Sequence, residues 1–351
     1  MSGRLKLRRG VVVAEDPLTV EVDGERRNAW ADERLLGEMR EGDEVVVNVE
    51  ALDLDLGSGG FDVVHVNLTR GLSGGGAPGG EHVMKLNYTS LQHPVAPVET
   101  RGCNVFDRHS MEKTLHPMPV LVIPLHGHLA PAAWAAARAR PGLKVGYVQT
   151  GGGALPGSMG RDVAELCERG LLCGHVTAGP AYGGEHEAIS VAGALDAAAN
   201  GLGWDAAIAG PGPGVIGSDT RLGHGGIAAL DTAHAALALG LPTLLSPRLS
   251  SGDLRERHNP VSHHTLTVLE LLLAPVQVPV PTDASTPTAL VDAAASPHEL
   301  VEAPAEISAY EEAGLPSRTM GRSIQEDSLF FAAALASGAA LAAGVALRHK
   351  G

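Results

Sequence analysis

Aromatic residues are scarce: Phe, Trp and Tyr make up 3% of the 351 residues. Single-stranded nucleic acid is held by bases stacked on several aromatic rings, so such a surface lacks its main element. Positive charge is also short. Lys and Arg total 26 against 40 Asp and Glu, a formal net charge of −14. A chain this acidic repels a phosphate backbone, and nucleic acid is not an expected partner. The one basic cluster, Arg4, Lys6, Arg8 and Arg9, reads as a solvated first strand. Cysteine is limited to Cys103, Cys167 and Cys173. An odd count without Cys-x-x-Cys suggests neither a disulfide framework nor a zinc ribbon, and it fits a reducing compartment. The N-terminus has no apolar h-region of a signal peptide, so the expected location is cytoplasmic. Also missing are a Gly-x-Ser-x-Gly elbow, a His-Glu-x-x-His signature and a cysteine nucleophile motif.

Glycine is what the chain has in excess, with 45 residues in clusters. Clustered glycine points to tight loops, because glycine enters positive φ without steric cost. A chain this long exceeds a single core, so two domains are expected. Residues 1–70 alternate like short strands separated by turns, with Gly10–Val13, Leu18–Val22, Asp43–Val49 and Phe61–Leu68 the clearest runs. That pattern predicts a small all-β, barrel-like domain. Residues 71–82 read as a glycine-rich linker.

From 83 to 351 short apolar runs alternate with helical patterns. The predicted strands are Val120–Leu125, Val145–Gln149, His175–Ala178, Ala206–Ala209, Thr243–Ser246 and Val276–Val280. The predicted helices are Ala132–Arg140, Arg161–Arg169, Glu187–Asn200, Ile227–Leu239 and Thr265–Leu273. This is the rhythm of an α/β fold with a doubly wound, mostly parallel sheet. Ligands of such sheets bind beyond the carboxyl ends of the strands. The Ala-rich run Leu329–Leu347 could just span a bilayer, but alanine gains little in lipid. A buried terminal helix is the expectation, packed on its own sheet or on a second subunit of a homo-oligomer.

Five loops carry the candidate chemistry. His126 and His128, at the end of the first predicted strand, form a His-x-His that on extended backbone would chelate a divalent metal. The alternative is two histidines bonded to nearby backbone. Gly151, Gly152 and Gly153 could bring N–H groups to an anion, or simply make a tight turn; no Gly-Lys-Ser/Thr follows to complete a Walker A loop. Glu185 is expected in the first turn of a helix, as a cap or as a general base. The segment from Gly210 to Gly226 contains Gly212, Gly214 and Gly217 in a Gly-x-Gly-x-x-Gly spacing. No helix follows at once, so it is not a dinucleotide fingerprint and no NAD is implied. Its length suggests a functional loop that offers Ser218, Arg221 and His224 to a ligand. The last loop, from Ser246 to Thr265, holds three arginines, Arg248, Arg255 and Arg257, and three histidines, His258 and, after a natural N-cap at Ser262, His263 and His264. It reads as a charged surface loop or as an anion-binding, acid–base cluster. Asn87 to Ser90 and Asp107-Arg108-His109 are further polar candidates.

Lys85-Leu86-Asn87-Tyr88-Thr89-Ser90-Leu91-Gln92, the Gly-Pro-Gly loop ending in Leu222-Gly223-His224, and Ser262-His263-His264-Thr265 together resemble a bacterial domain-of-unknown-function family, mostly from high-GC Gram-positive bacteria. The resemblance spans nearly the whole chain and implies no activity, cofactor or catalytic residue. Two functions follow from the residues themselves, with a structural protein whose glycines serve only close packing as a third possibility. One is a cytosolic enzyme acting on a small anionic metabolite, with Glu185, His224, His263 and His264 moving protons. The other is a non-catalytic ligand-sensing or protein-interaction module.

Overall fold

A computed structural model of the chain describes residues 3–55, 59–76, 79–100 and 117–345. Cys103 and Asp107-Arg108-His109 lie outside them, as do the last residues of the terminal apolar run. The described chain divides into two compact units, Met1–Val95 and Ala96–Gly351.

In the first unit, β1 (Leu7–Glu15), β2 (Leu18–Val22), β3 (Glu25–Trp30), β4 (Glu44–Asn48) and β5 (Asp62–Asn67) close into a barrel of order β1-β2-β3-β5-β4. Strand β3 runs parallel to β5; the other pairs are antiparallel. This is the connectivity of a small OB-type barrel. Its interior is mostly valine: Val12, Val20, Val22, Val45, Val47, Val49 and Val64, with Met39 as filler. Alternation along each strand puts these β-branched side chains on the inner face and leaves the arginines outside. Arg8 and Arg9 of β1 are exposed, as expected for a solvated strand. Strand β3 has the sequence ERRNAW, with no buried residue, and escapes a hydrophobic pattern search. It is tied instead by Arg27, which bonds Asp62 at 2.5 Å and Asp53 at 2.7 Å. One-turn helices α1 (Glu33–Leu36) and α2 (Glu50–Asp53) join the strands, and a hairpin of β6 (Val83–Lys85) and β7 (His93–Val95) ends the unit.

The second unit is an eight-stranded, all-parallel sheet. Its strands are β8 (Val120–Val122), β9 (Val145–Thr150), β10 (His175–Ala178), β11 (His186–Ala188), β12 (Ala206–Pro211), β13 (Thr243–Leu245), β14 (Gln277–Pro281) and β15 (Glu299–Ala303). Their order is β11-β10-β9-β12-β8-β13-β14-β15. The central strands are buried along their whole length, as a sheet covered on both faces requires. Helices α3 (Leu129–Ala139) and α4 (Arg161–Glu168) follow β8 and β9 and pack in one core. Helices α5 (Val191–Asn200), α6 (Ala228–Ala238), α7 (His263–Leu271) and α8 (Thr288–Ala294) pack in the other. Connections toward β11 use the first face and connections toward β15 the second, as right-handed crossovers demand. The doubly wound reading therefore holds. Where β8 and β9 meet β12 and β13, successive loops leave toward opposite faces. That divergence opens a crevice at the carboxyl ends of the strands.

One predicted element is corrected. The stretch Glu187–Asn200 is not one helix. His186–Ala188 is edge strand β11, held because Glu187 accepts from Thr177 Oγ1 at 2.8 Å and from the Gly183 N–H at 2.6 Å. The helix starts only at Val191, where Ser190 caps it by accepting from the Gly193 N–H. Residues 298–327 also hold elements without a sequence signal: β15, α9 (Ile307–Glu312) and the small hairpin β16 (Arg318–Thr319)–β17 (Arg322–Ser323).

Helix α10 (Ser328–Ala343) is buried almost all round, against α3 and strands β14 and β15. No described helix is long and apolar enough to cross a membrane. Small residues let α10 approach α3 closely, and a Cβ at Gly338 would collide with the Ala132 carbonyl. Gly338→Ala is therefore expected to destabilise the chain by about 1–3 kcal/mol, the range for overpacking a tight core. Thermal unfolding of the variant checks this; an unchanged midpoint would show that the two helices are free to part.

Candidate functional site

Two loops at the carboxyl end of the sheet meet around one group of imidazoles. His224 ends the long loop after β12 and precedes the 3-10 turn Gly225–Ile227 that leads into α6. His263 and His264 open α7, where Ser262 caps the helix by accepting from the His264 N–H at 3.2 Å. His258 comes from the loop after β13 and shares a 2.8 Å hydrogen bond with Ser262 Oγ. The His224 and His264 rings stack at 3.7 Å with 7° between their planes. His263 stands edge-on to both, at 5.2 Å and 4.4 Å, and His258 lies about 5 Å from His263 and His264. His224, His258 and His264 are buried.

Arg248 fixes the charge of this group. Its side chain is buried, 5% exposed, with one nitrogen 3.4 Å from His264 Nδ1. Its nearest carboxylate, Asp253, is 3.5 Å away and already grips Arg255 through two bonds of 2.7–2.8 Å. Asp253 also faces Arg322 at 3.5 Å, while Arg322 holds Asp327 at 2.9 Å. Those bonds keep the Asp253 carboxyl well below the ordinary carboxylate range, first through Arg255. Burial pushes Arg248 down to about 10, and the Arg255 charge adds to that. The arginine stays charged at neutral pH.

Burial, reinforced by Arg248, lowers all four histidines: His264 to about 2, His258 to about 3, and His224 and His263 in the same direction. Neutral imidazoles are bases and ligands rather than cations. The tautomer of His224 is fixed. Its Nε2 lies 2.9 Å from the Arg221 carbonyl, which can only accept, so Nε2 carries the proton. The lone pair of His224 Nδ1 is then bare, and that atom is buried without a hydrogen-bond partner. His263 Nε2 is also buried and unpartnered, as are the Nε atoms of Arg248 and Arg257. Buried polar atoms normally have partners, and unpartnered ones mark strain or a ligand position. Among the described residues, His224, His263 and His264 alone form a group able to hold a metal ion, with one donor atom each within 4.8 Å of the others.

His224 lines a cavity of about 610 Å³ with Gly152, Gly153, Gly214, Ile216, Gly217, Ser218, Gly223 and Gly225. The volume suits a metabolite-sized ligand. The sequence-predicted Gly152, Gly153, Gly214, Gly217, Ser218 and His224 are thus brought together. Gly152 adopts φ +106°, a conformation that favours glycine. Gly153 has a different reason, for a Cβ there would strike the Gly212 carbonyl of the neighbouring loop. Close packing of two loops explains part of the glycine excess. Several loop N–H groups are also used internally: Ser218 to the Gly223 carbonyl and Gly225 to the Ile216 carbonyl, both at 2.7 Å.

Other sequence candidates fall elsewhere. Gly151 and Gly212 are outside the cavity lining. Arg221 pairs with Glu270 at 2.7 Å, and Arg257 with Asp219 at 2.6 Å. Glu185 does not open a helix. It immediately precedes β11 and lies beside Gly174, just before β10, so it sits at the amino end of the sheet, away from the carboxyl-end crevice. His126 and His128 lie in a 3-10 turn, not an extended strand, so their rings diverge. His126 Nε2 pairs with Asp162 at 2.7 Å, and His128 Nδ1 meets Ser246 Oγ at 2.8 Å. Asn87 to Ser90 form a turn in the first unit, where Thr89 Oγ1 donates to the Leu86 carbonyl. Arg248, Asp253 and His258 lie in the loop whose three histidines and three arginines marked it in the sequence, although the sequence assigns none of the three an individual role. An arginine just past a strand of an acidic chain, with a histidine-rich helix start downstream, is the signal that could have found them.

The family described as "Protein of unknown function (DUF3866)" has a model that matches residues 28–338. The chain belongs to that family. No curated protein and no solved structure matches it. The DUF3866 match takes in every residue of the histidine–arginine group and agrees with the resemblance read from the Leu222-Gly223-His224 and Ser262-His263-His264-Thr265 motifs.

His128 supplies a pH test of the fold. Ser337 donates to the Ala333 carbonyl, so Ser246 must donate to Ser337, and His128 Nδ1–H must donate to Ser246. Burial then holds His128 at about 3, below its ordinary 6.5. The unfolded chain takes up the proton first, so this stability is complete above pH 6.5 and is lost as pH falls toward 3, at up to about 1.4 kcal/mol per pH unit. His128→Asn keeps a donor for Ser246 and removes the titration. Denaturant unfolding at pH 7.5 to 4.5 is expected to give a shallower decline for the variant; parallel declines would rule His128 out.

Proposed function

We propose that this DUF3866 protein is a cytoplasmic enzyme that acts on a small anionic metabolite, phosphorylated or nucleotide-like, in the cavity beside His224. The observation that carries the reading is the buried Arg248 guanidinium. Its nearest carboxylate among the described residues, Asp253, is 3.5 Å away and is shared with Arg255 and Arg322, which supports a positive potential at the crevice. An anion brings the missing charge. The glycine-lined wall lets the ligand come close to the backbone, and His224 offers a neutral base with a bare Nδ1. His263 is the second proton carrier. A general base must be unprotonated at working pH, and burial beside Arg248 secures that.

A ligand-sensing module remains the second reading, and the same cavity would serve it. The two part on turnover. Inorganic phosphate, nucleotides and sugar phosphates are screened for thermal stabilisation of the full chain, and each hit is followed by phosphorus NMR for conversion. A ligand at a hundredfold excess over Kd stabilises by about 2.7 kcal/mol, which shifts the midpoint of a chain this size by several degrees. The expected result is stabilisation lost in Arg248→Gln, retained in part by Arg248→Lys, and retained in His224→Gln while conversion stops. Stabilisation without conversion in the unaltered protein would favour the sensor. No stabilisation by any anion would overturn the anion site itself.

A further inference from the structure

We propose that His224, His263 and His264 form a binding site for one divalent transition metal ion of the zinc class. The inference rests on donor atoms and not on the anion reading; an ion bound here takes the lone pairs of His224 Nδ1 and His263 Nε2, so those rings then serve as ligands and not as the proton carriers proposed above.

Two unsatisfied nitrogens define the site. His224 Nδ1 and His263 Nε2 are buried, carry no hydrogen bond and belong to rings 5.2 Å apart. His224 is also oriented as a metal-bound imidazole is, with its other nitrogen donating to a backbone carbonyl, here that of Arg221 at 2.9 Å. His264 supplies the third ring, and each of the three can place one nitrogen within 4.8 Å of the others. Three imidazoles and no carboxylate form a donor set for zinc, cobalt, nickel or copper rather than magnesium or calcium. Three protein ligands with a free fourth position is the arrangement of catalytic, not structural, zinc. Of the three rings, His224 also lines the cavity.

The rings must move to close on the ion. Tetrahedral nitrogens around zinc stand roughly 3.3 Å apart, given bonds of about 2.0–2.1 Å. Each lone pair also lies in its ring plane, so two rings stacked at 7° cannot aim at one point. One of the His224–His264 pair therefore swings out of the stack on binding. Gly226 leaves the space: a Cβ there would lie 2.9 Å from His264 Nδ1 and 3.2 Å from His224 Nδ1. Arg248, 3.4 Å from His264 Nδ1, opposes a second cation, and an anion or hydroxide at the open position offsets that repulsion.

The test is zinc binding by calorimetry on tag-free, full-length protein stripped with chelator, with visible spectra of the cobalt-loaded form as a second readout. The expected result is one ion per chain, tetrahedral cobalt bands, and at least about tenfold weaker binding in His224→Gln, His263→Gln and Gly226→Ala. His186→Ala, on the edge strand, leaves binding unchanged. Thermal midpoints of the metal-free variants show that each still folds, and the His263 change, at a half-buried ring, is the least disruptive. Absence of stoichiometric binding, or binding that survives loss of both His224 and His263, would overturn the proposal. Failure here leaves anion binding at Arg248 intact, and anion binding without zinc sinks only the metal.

Discussion

Desolvation is the constraint on which the site depends. One guanidinium and four imidazoles share a volume from which solvent is largely excluded, and only one of the five groups can stay charged. Arg248 keeps its proton at neutral pH because no arginine gives it up there. The four histidines therefore stay neutral. The base proposed at His224 and the anion site proposed at Arg248 follow from this order: a fixed positive charge beside neutral imidazoles.

The scaffold makes that arrangement affordable. The β13–α7 loop that carries Arg248 is clamped to the β16–β17 hairpin through Asp253 and Asp327. Asp327 accepts from Ser250, from the Ser251 and Gly252 N–H groups, and from Arg322. The clamp is buried, so it holds the loop whatever occupies the cavity. Sheet topology does the rest. Loops after β12 and β13 both lead to helices on one face, and this sets His224 beside His263 and His264 although about forty residues separate them in sequence. The loop after β9 closes the far wall through backbone packing of Gly153 on Gly212.

The parallel sheet was legible because its central strands are apolar end to end and alternate with helical patterns. Strand β10 falls where it was expected, at His175–Ala178, and Ser262 caps α7 as its sequence suggested. Polar strands were not legible. Strand β3 is held by ion pairs of Arg27, and β11 by side-chain bonds of Glu187, neither of which leaves a hydrophobic period. Local pattern also misled at His126 and His128. Their spacing chelates only on extended backbone, and the chain turns there instead. The site was half legible: His224, His263 and His264 stood out by type, but the pairing that matters is between loops. Arg248 stood in a loop marked by its charges, and burial is what separates it from the exposed Arg255 and the half-buried Arg257 of that loop.

The most direct measurement is the nitrogen-15 NMR spectrum of the histidine side chains in metal-free protein at pH 7, assigned by His224→Gln and His264→Gln. The account requires neutral rings throughout the cluster, with His224 protonated at Nε2 and bare at Nδ1. If His224 or His264 carries protons on both nitrogens at that pH, Arg248 does not govern the cluster, and neither a neutral base nor a lone pair for metal would be present.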